Sequence, residues 1–286
     1  MSTSPAAAPS RQLPRAGREF AVVFVIMLVV VAVAPFVAYP FFVMQALCFA
    51  LFACAFNLLI GYVGLLSFGH AMFLGLASYV CAHAAKVWGL DPVLAILTGV
   101  ASSALLGLIA GALSIRSQGI YFAMITVALS QMIFFFCVEA PFTHGEDGIQ
   151  AVPQGFAFGL IDLSRPLALY SFTAAIFLFG FLAIYRTVNS PFGEILKAIR
   201  ENEARAISLG YRVARYKLTA FVLSASLAGL AGATKAIVVQ NASLTDVGFA
   251  MSGEVVLMTL LGGMGTIYGP VVGAIVVVAM QNYLAQ

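Results

Sequence analysis

Charged side chains are scarce in this sequence. Of its 286 residues 9% are Asp, Glu, Lys or Arg, while 62% are hydrophobic. Soluble domains carry about 25% charged residues, so this chain lacks the polar groups needed to cover itself with a hydrated surface. The few charges are also unevenly placed. None falls between Phe20 and Ala85, Pro92 and Ile115, Ser117 and Val138, Pro166 and Tyr185, Leu218 and Thr234, or Val255 and Gln286. One helical crossing of a bilayer takes about 20 apolar residues. Backbone groups in lipid need partners within their own segment, so these stretches are expected to be helices. Period-two alternation in segments of about ten residues, the mark of a large outer-membrane barrel, is missing; the apolar runs are solid.

Other absences narrow the function. Cysteine is rare: Cys48, Cys54, Cys81 and Cys137 all lie in apolar stretches and form no C-x-x-C pair, so they read as small apolar filler rather than metal ligands or a redox couple. The sequence contains no G-x-x-x-x-G-K-[ST] string, hence no P-loop for ATP. A basic patch interleaved with aromatics is also lacking, and no nucleic-acid partner is expected. No cofactor or metal site is expected either. Few ionisable groups sit inside the apolar stretches, which argues against a proton relay or an ion-coupled carrier.

The charges that are present give an orientation. Arg11, Arg15 and Arg18 precede the first apolar run, Arg116 stands between two runs, and Arg186, Lys197, Arg200, Arg205, Arg212, Arg215 and Lys217 crowd one later loop. The 139–165 loop is acidic, with Glu139, Glu146, Asp147 and Asp162 against Arg165. Lys and Arg accumulate on the cytoplasmic side. The N-terminus, Arg116 and the 186–217 loop are therefore expected in the cytoplasm, and the 139–165 loop outside. Spans at 20–39, 41–60, 71–88, 92–113, 119–138, 166–185, 217–240 and 255–283 satisfy this alternation. The expected fold is an all-α, polytopic helical membrane protein with about eight spans and glycine-broken segments. Residues 1–16 are expected to form a disordered cytoplasmic tail, and 17–286 a single transmembrane domain. The first apolar run is longer than the 7–15 residues of a signal-peptide core, so it reads as a retained span.

One loop has internal periodicity. Ser190-Pro191 is a helix start, with Ser as N-cap and Pro in the first turn, and Gly210 is a helix stop. Between them Phe192, Ile195, Leu196 and Ile199 follow the i, i+3, i+4, i+7 rule, and Ala206 and Ile207 extend the stripe. An amphipathic helix over 191–209 is expected. It could lie in the lipid interface, pack on the chain's own spans, or dock a soluble partner; amphipathicity leaves all three open.

The string itself goes further. Ser190-Pro-Phe-Gly-Glu-Ile-Leu-Lys-Ala-Ile-Arg-Glu-Asn-Glu-Ala-Arg-Ala-Ile-Ser-Leu-Gly210 resembles the cytoplasmic coupling loop of the branched-chain amino acid ABC permeases, in particular the M-type of their two membrane subunits. Further segments resemble that family in order: Asn57 to His70, Arg116 to Met124, Thr143 to Ile149 and Leu261 to Pro270. The resemblance implies a permease subunit of an ATP-driven importer, with Arg200, Glu201, Asn202, Glu203 and Gly210 coupling it to an ATPase. It implies as partners a second related permease subunit, two P-loop ATPase subunits and an external (periplasmic) solute-binding protein. The location it implies is a bacterial cytoplasmic (inner) membrane. The implied solutes are branched-chain amino acids or related small polar molecules such as urea, amides or aromatic acids. Family members usually continue past the last glycine motif with an apolar segment and a basic tail; this sequence stops at Gln286.

Glycine clusters offer a path independently of the resemblance. Gly61, Gly64, Gly69 and Gly75 form one cluster, and Gly262, Gly263, Gly265, Gly269 and Gly273 another. Such clusters permit close helix packing or broken helices, which at membrane depth face protein or a water-filled cavity. Paired glycine-interrupted segments in two halves of a transporter point to a solute site. The candidate path residues are Gly61, Gly64, Ser67, Gly69, His70, Gln131, Gly262, Gly263 and Gly265. Asn57, Thr126 and Ser130 are further polar groups within apolar runs, and Glu254 is expected to open the last glycine-rich helix, where a carboxylate suits the positive helix end. Two other function classes compete. A passive channel or ion-coupled carrier has no use for the coupling string. An intramembrane hydrolase using Ser67 and His70 needs an oriented base and an oxyanion hole, and nothing in the sequence marks either.

Overall fold

The computed structural model describes residues 15–284 apart from 38, 158 and 160. Of the expected tail, 1–14 lies outside the described residues. Eleven α-helices follow: α1 (Arg15–Val37), α2 (Pro40–Asn57), α3 (Ala71–Lys86), α4 (Pro92–Ser114), α5 (Ile120–Glu139), α6 (Pro166–Val188), α7 (Pro191–Glu201), α8 (Glu203–Ser208), α9 (Val213–Val239), α10 (Phe249–Gly262) and α11 (Gly269–Leu284). Helix α2 runs on into a π-helical segment, Leu58–Val63. Proline stands in the first turn of α2, α4, α6 and α7, where its missing N–H costs nothing and its fixed φ favours the helix.

Each expected span has a helix on it. Five segments are long and apolar enough to cross a membrane by length and composition: Pro40–Val63, Pro92–Ser114, Ile120–Glu139, Pro166–Val188 and Val213–Val239. Helices α3, α10 and α11 are shorter. The single span expected at 255–283 is instead two helices, because Gly263 and Gly265 take φ of 101° and 78°, which only glycine adopts without strain. The chain reverses there, and α10 and α11 pack at close range, with Gly273 against the Met258 carbonyl.

The helix expected over 191–209 is also two. Asn202 is extended, with φ −156° and ψ 96°, and its side chain caps α8 by accepting from the Arg205 N–H at 2.9 Å. An Asn side chain competes well for such N–H groups, so a helix restarts after it. The other expected signals hold. Ser190 Oγ accepts from Gly193 N, and Gly210 is left-handed at φ 88° while Tyr211 N–H reaches back to the Ala206 carbonyl.

Helices α2 and α9 form the centre. The apolar windows of Pro40–Val63 and Val213–Val239 are 83% and 72% buried, against 28% for Ile120–Glu139 on the periphery. Small residues make the inner contacts. Gly229 faces Ser103 and Ala77, Gly107 faces Ala225, and a Cβ at Gly232 would strike the Leu74 carbonyl. Lipid tails are as apolar as the helices, so close backbone approach of this kind, with hydrogen bonds such as Ser103 Oγ to the Ala225 carbonyl at 2.7 Å, drives the association. All four cysteines are buried and free.

The helices share two ends. At the acidic end β1 (Ile149–Gln150) pairs antiparallel with β4 (Asn241–Ala242), and β2 (Phe156–Ala157) with β3 (Ile161–Asp162). Lys86, at the close of α3, donates to the Gln150 carbonyl at 2.7 Å. Asp162 sits lower than an ordinary carboxyl in pKa because the Ser164 backbone N–H donates to it. After α9 the chain doubles back. Lys235 pairs with Asp246 in a buried contact, with its ammonium also 5.1 Å from the centre of the Phe49 ring, and Val247 lies against Gly75 of α3. Helix α10 therefore starts below the acidic surface, which is why it is short. The opposite, basic end gathers the Arg116 turn, α7, α8 and both glycine breaks.

Candidate functional site

The site grows from the end of a helix. The last carbonyls of any helix have no partner within it. At the end of the π-helical segment Gly64 takes φ 80° and Leu65 N–H returns to the Leu59 carbonyl at 3.2 Å, which closes the turn and leaves the Gly61 carbonyl open. Arg200 of α7 donates its Nη1–H to that carbonyl. A guanidinium suits this position twice over, as a hydrogen-bond donor and as a positive charge at a helix C-terminus. A Cβ on Gly64 would stand 3.2 Å from Arg200 Cγ, so the arginine stem lies along the glycine backbone.

The second glycine break meets the first here. Asn57, 3% exposed, donates Nδ2–H to the Thr266 carbonyl at 2.7 Å and accepts the Gly265 N–H on Oδ1 at 2.9 Å. A Cβ on Gly61 would lie 2.7 Å from Gly265 N, and one on Gly265 would lie 3.3 Å from Arg200 Nη1. Arg200, Gly61, Gly64 and Gly265 thus form one junction, with Asn57 as its clasp. Gly262 and Gly263 belong to the same turn; Gly262 packs on Gly269, and Gly263 carries the reversal.

The remaining coupling candidates divide by direction. Glu203 pairs with Lys217 of α9 at 2.8 Å and accepts from Gln118 Nε2 at 3.2 Å, so it binds the loop to α9 and to the turn before α5. The lysine side chain is 7% exposed and the glutamate 29%. Glu201 is exposed, and among the described residues it has no hydrogen-bond or ion-pair partner. Asn202 makes the break and Gly210 the stop. Leu196, Ile199 and Ala206 face inward, while Ile207, expected on the same stripe, is exposed, because the break at Asn202 changes the helix phase.

A second group lies at the start of α3. His70 is fully buried between Phe52, Phe56 and Phe73. Its Nε2 is 3.2 Å from Ser224 Oγ, which itself donates to the Ala55 carbonyl at 2.6 Å. A hydroxyl has one proton, so His70 Nε2 carries the hydrogen and donates. His70 is thereby turned towards Ser224, and Ser67 Oγ is buried with no partner among the described residues; the pair a hydrolase needs is not assembled. Gly69 lies against Thr126 and Ser130 of α5, and Ser130 Oγ is also buried and unpartnered. Gln131, next on α5, is half-buried. Ser252 of α10 accepts the Ala71 N–H at 3.0 Å, so the first N–H of α3 is capped from α10.

Three charged residues drew little or no notice in the sequence. Lys235 and Asp246 are the buried pair described above; a lysine directly after the charge-free run ending at Thr234 was the available signal. Glu254 does not open a helix. Helix α10 begins at Phe249, and Glu254 sits inside it, half-buried, with no hydrogen-bond or ion-pair partner among the described residues. A charge at the centre of a membrane helix costs roughly 2.5–3.5 kcal/mol.

The family model described as branched-chain amino acid transport system / permease component matches residues 38–286. The high-affinity branched-chain amino acid transport system permease protein LivM of Salmonella typhimurium is 27% identical over 293 aligned positions, covering 91% of this chain and 68% of that protein. LivM of Escherichia coli is 27% identical over 297 positions, with the same coverage. No solved structure gives a significant match. The matched region takes in both glycine breaks, α7 and α8, and the chain belongs to the family of branched-chain amino acid transport system permease components.

Proposed function

We propose that the chain is one of two related permease subunits of an ATP-driven importer in the bacterial cytoplasmic (inner) membrane. Its N-terminus and the 186–217 segment face the cytoplasm. Two P-loop ATPase subunits supply the energy, and a periplasmic solute-binding protein delivers the solute at the acidic end. The solute is a branched-chain amino acid; urea, amides and aromatic acids are the related alternatives. The path passes the layer of Ser67, Gly69, His70 and Gln131, with Gly61, Gly64, Gly262, Gly263 and Gly265 as the yielding joint beneath it.

The observation that carries this reading is the grip of Arg200 on Gly61 beside Gly265. A helix on the basic surface is tied by one side chain to two breaks in the membrane bundle. Movement of α7 by an ATPase is then felt at both breaks together. Glu203, through Lys217 and Gln118, extends the same movement to α9 and the foot of α5. Glu201, exposed and unpaired, is the residue offered to the ATPase. In a channel this linkage has no purpose.

Reconstitution tests the proposal. The chain, co-expressed with its second permease and ATPases, is placed in proteoliposomes with the binding protein outside. ATP-dependent leucine uptake is the expected result. Leucine flux that proceeds equally without ATP means a channel and overturns it.

A further inference from the structure

Glu254 is the one carboxylate within α10 and α11. It lies beyond the first turn of α10, two residues past Ser252, whose hydroxyl caps α3 at Ala71. The depth is fixed by that contact: α3 runs from this level to Lys86 at the acidic end, and α10 runs from it to Gly262 at the basic end. Glu254 is therefore well inside the bundle's height, far from either surface. Among the described residues no Lys or Arg pairs with it: Lys235 is held by Asp246, Lys217 by Glu203 and Arg200 by Gly61.

An ionised carboxylate at this depth does not face hydrocarbon; such groups turn to a water-filled cavity or to a cation. Nothing lies within 4 Å of a Cβ built on the adjacent Gly253, so the helix face beside Glu254 is open. The same layer holds polar groups left without partners, Ser67 Oγ on the break before α3 and Ser130 Oγ on α5. The break is brought to α10 by the Phe68–Phe249 ring contact, with centres 6.5 Å apart, as well as by the Ser252 cap.

We propose that Glu254 holds the cationic ammonium group of the solute during its passage. This assignment rests on the permease reading and gives the solute's ammonium group a named contact within the membrane. An ammonium and a carboxylate form a charge-assisted hydrogen bond that strengthens where water is excluded. A lone carboxylate also attracts such a solute without trapping its apolar side chain, so leucine, isoleucine and valine pass alike.

The test uses the whole complex in proteoliposomes with labelled leucine, comparing wild type, Glu254→Gln and Glu254→Asp. Glu254→Gln keeps the shape and loses the charge. It is expected to lower leucine uptake at least about tenfold, with Glu254→Asp restoring a large part, while the second permease and the ATPases still co-purify with both variants. Uptake by Glu254→Gln at the wild-type rate overturns the assignment and leaves the importer reading standing. Loss of the second permease from the Glu254→Gln preparation also overturns it, since the carboxylate then pairs with a cation of that subunit. A wild-type complex that carries acetamide under ATP but not leucine removes the amino acid reading and this assignment together.

Discussion

Asn57 and Gly265 stand at opposite ends of the sequence and share a hydrogen bond of 2.9 Å, from the Gly265 N–H to Asn57 Oδ1, while the same amide donates to the Thr266 carbonyl at 2.7 Å. One primary amide thus satisfies both a donor and an acceptor of the second glycine break. Asn57→Ala removes both part-buried hydrogen bonds, at about 0.5–1.5 kcal/mol each. The melting temperature of the purified chain in detergent should fall clearly, and Asn57→Asp should fall too, because a carboxylate cannot donate to Thr266.

Arg200 and Glu201 are neighbours in sequence with opposite expected phenotypes. Arg200→Ala should leave the ATPases bound and abolish coupled leucine uptake, with a loss of about 1.5–3 kcal/mol from the charge-assisted contact to Gly61. Glu201→Arg should instead reduce the amount of ATPase recovered on co-purification. Equal loss of the ATPases in both variants refutes the division.

Lys235 and Asp246 form a buried pair. Removing one partner strands a charge and is expected to cost about 3–5 kcal/mol, whereas replacing both by apolar residues of similar size is often neutral or stabilising. Lys235→Met and Asp246→Leu should each lower the thermal stability and yield of the chain, and the double variant should recover both. Failure of the double variant to recover means that the pair does more than neutralise itself.

Much of this architecture was legible in the sequence. Charge-free runs located the five long apolar helices, and Ser190-Pro191 and Gly210 marked where the amphipathic segment starts and stops. The break at Asn202 was not legible, because Ala206 keeps the periodicity through it and only the extended backbone of Asn202 resets the phase. Gly262 to Gly269 looked like interrupted helix, yet reversal depends on positive φ at Gly263 and Gly265, which composition permits without requiring. The Arg200 junction was out of reach for a different reason. Helical periodicity reports which face of a helix is buried, and it is silent on which residue 139 positions away is buried against it. Likewise the sequence offered no sign that the cage of Phe52, Phe56 and Phe73 and the Ser224 contact surround His70.

Gly232 and Gly69 test the packing of the bundle. Gly232→Ala drives a methyl into the Leu74 carbonyl, and Gly69→Ala into the Thr126 carbonyl. Backbone atoms cannot yield as a side-chain tip does, so each should cost about 1–3 kcal/mol of overpacking strain. Gly253→Ala, within helix α10 and with open space around it, is the control for handling and expression. Thermal unfolding in detergent should rank the first two well below the control.

The clasp at Asn57 also imposes an order on biogenesis. Helix α2 leaves the ribosome before α7, α10 and α11, but the groups that satisfy the Asn57 amide and the Gly61 carbonyl belong to Arg200, Gly265 and Thr266 and are made later. Until they arrive, the first half of the protein waits in the bilayer with unmet polar groups, which hydrocarbon does not tolerate. The nascent chain is thus most exposed to membrane proteases and chaperones in the interval before α10 and α11 are inserted.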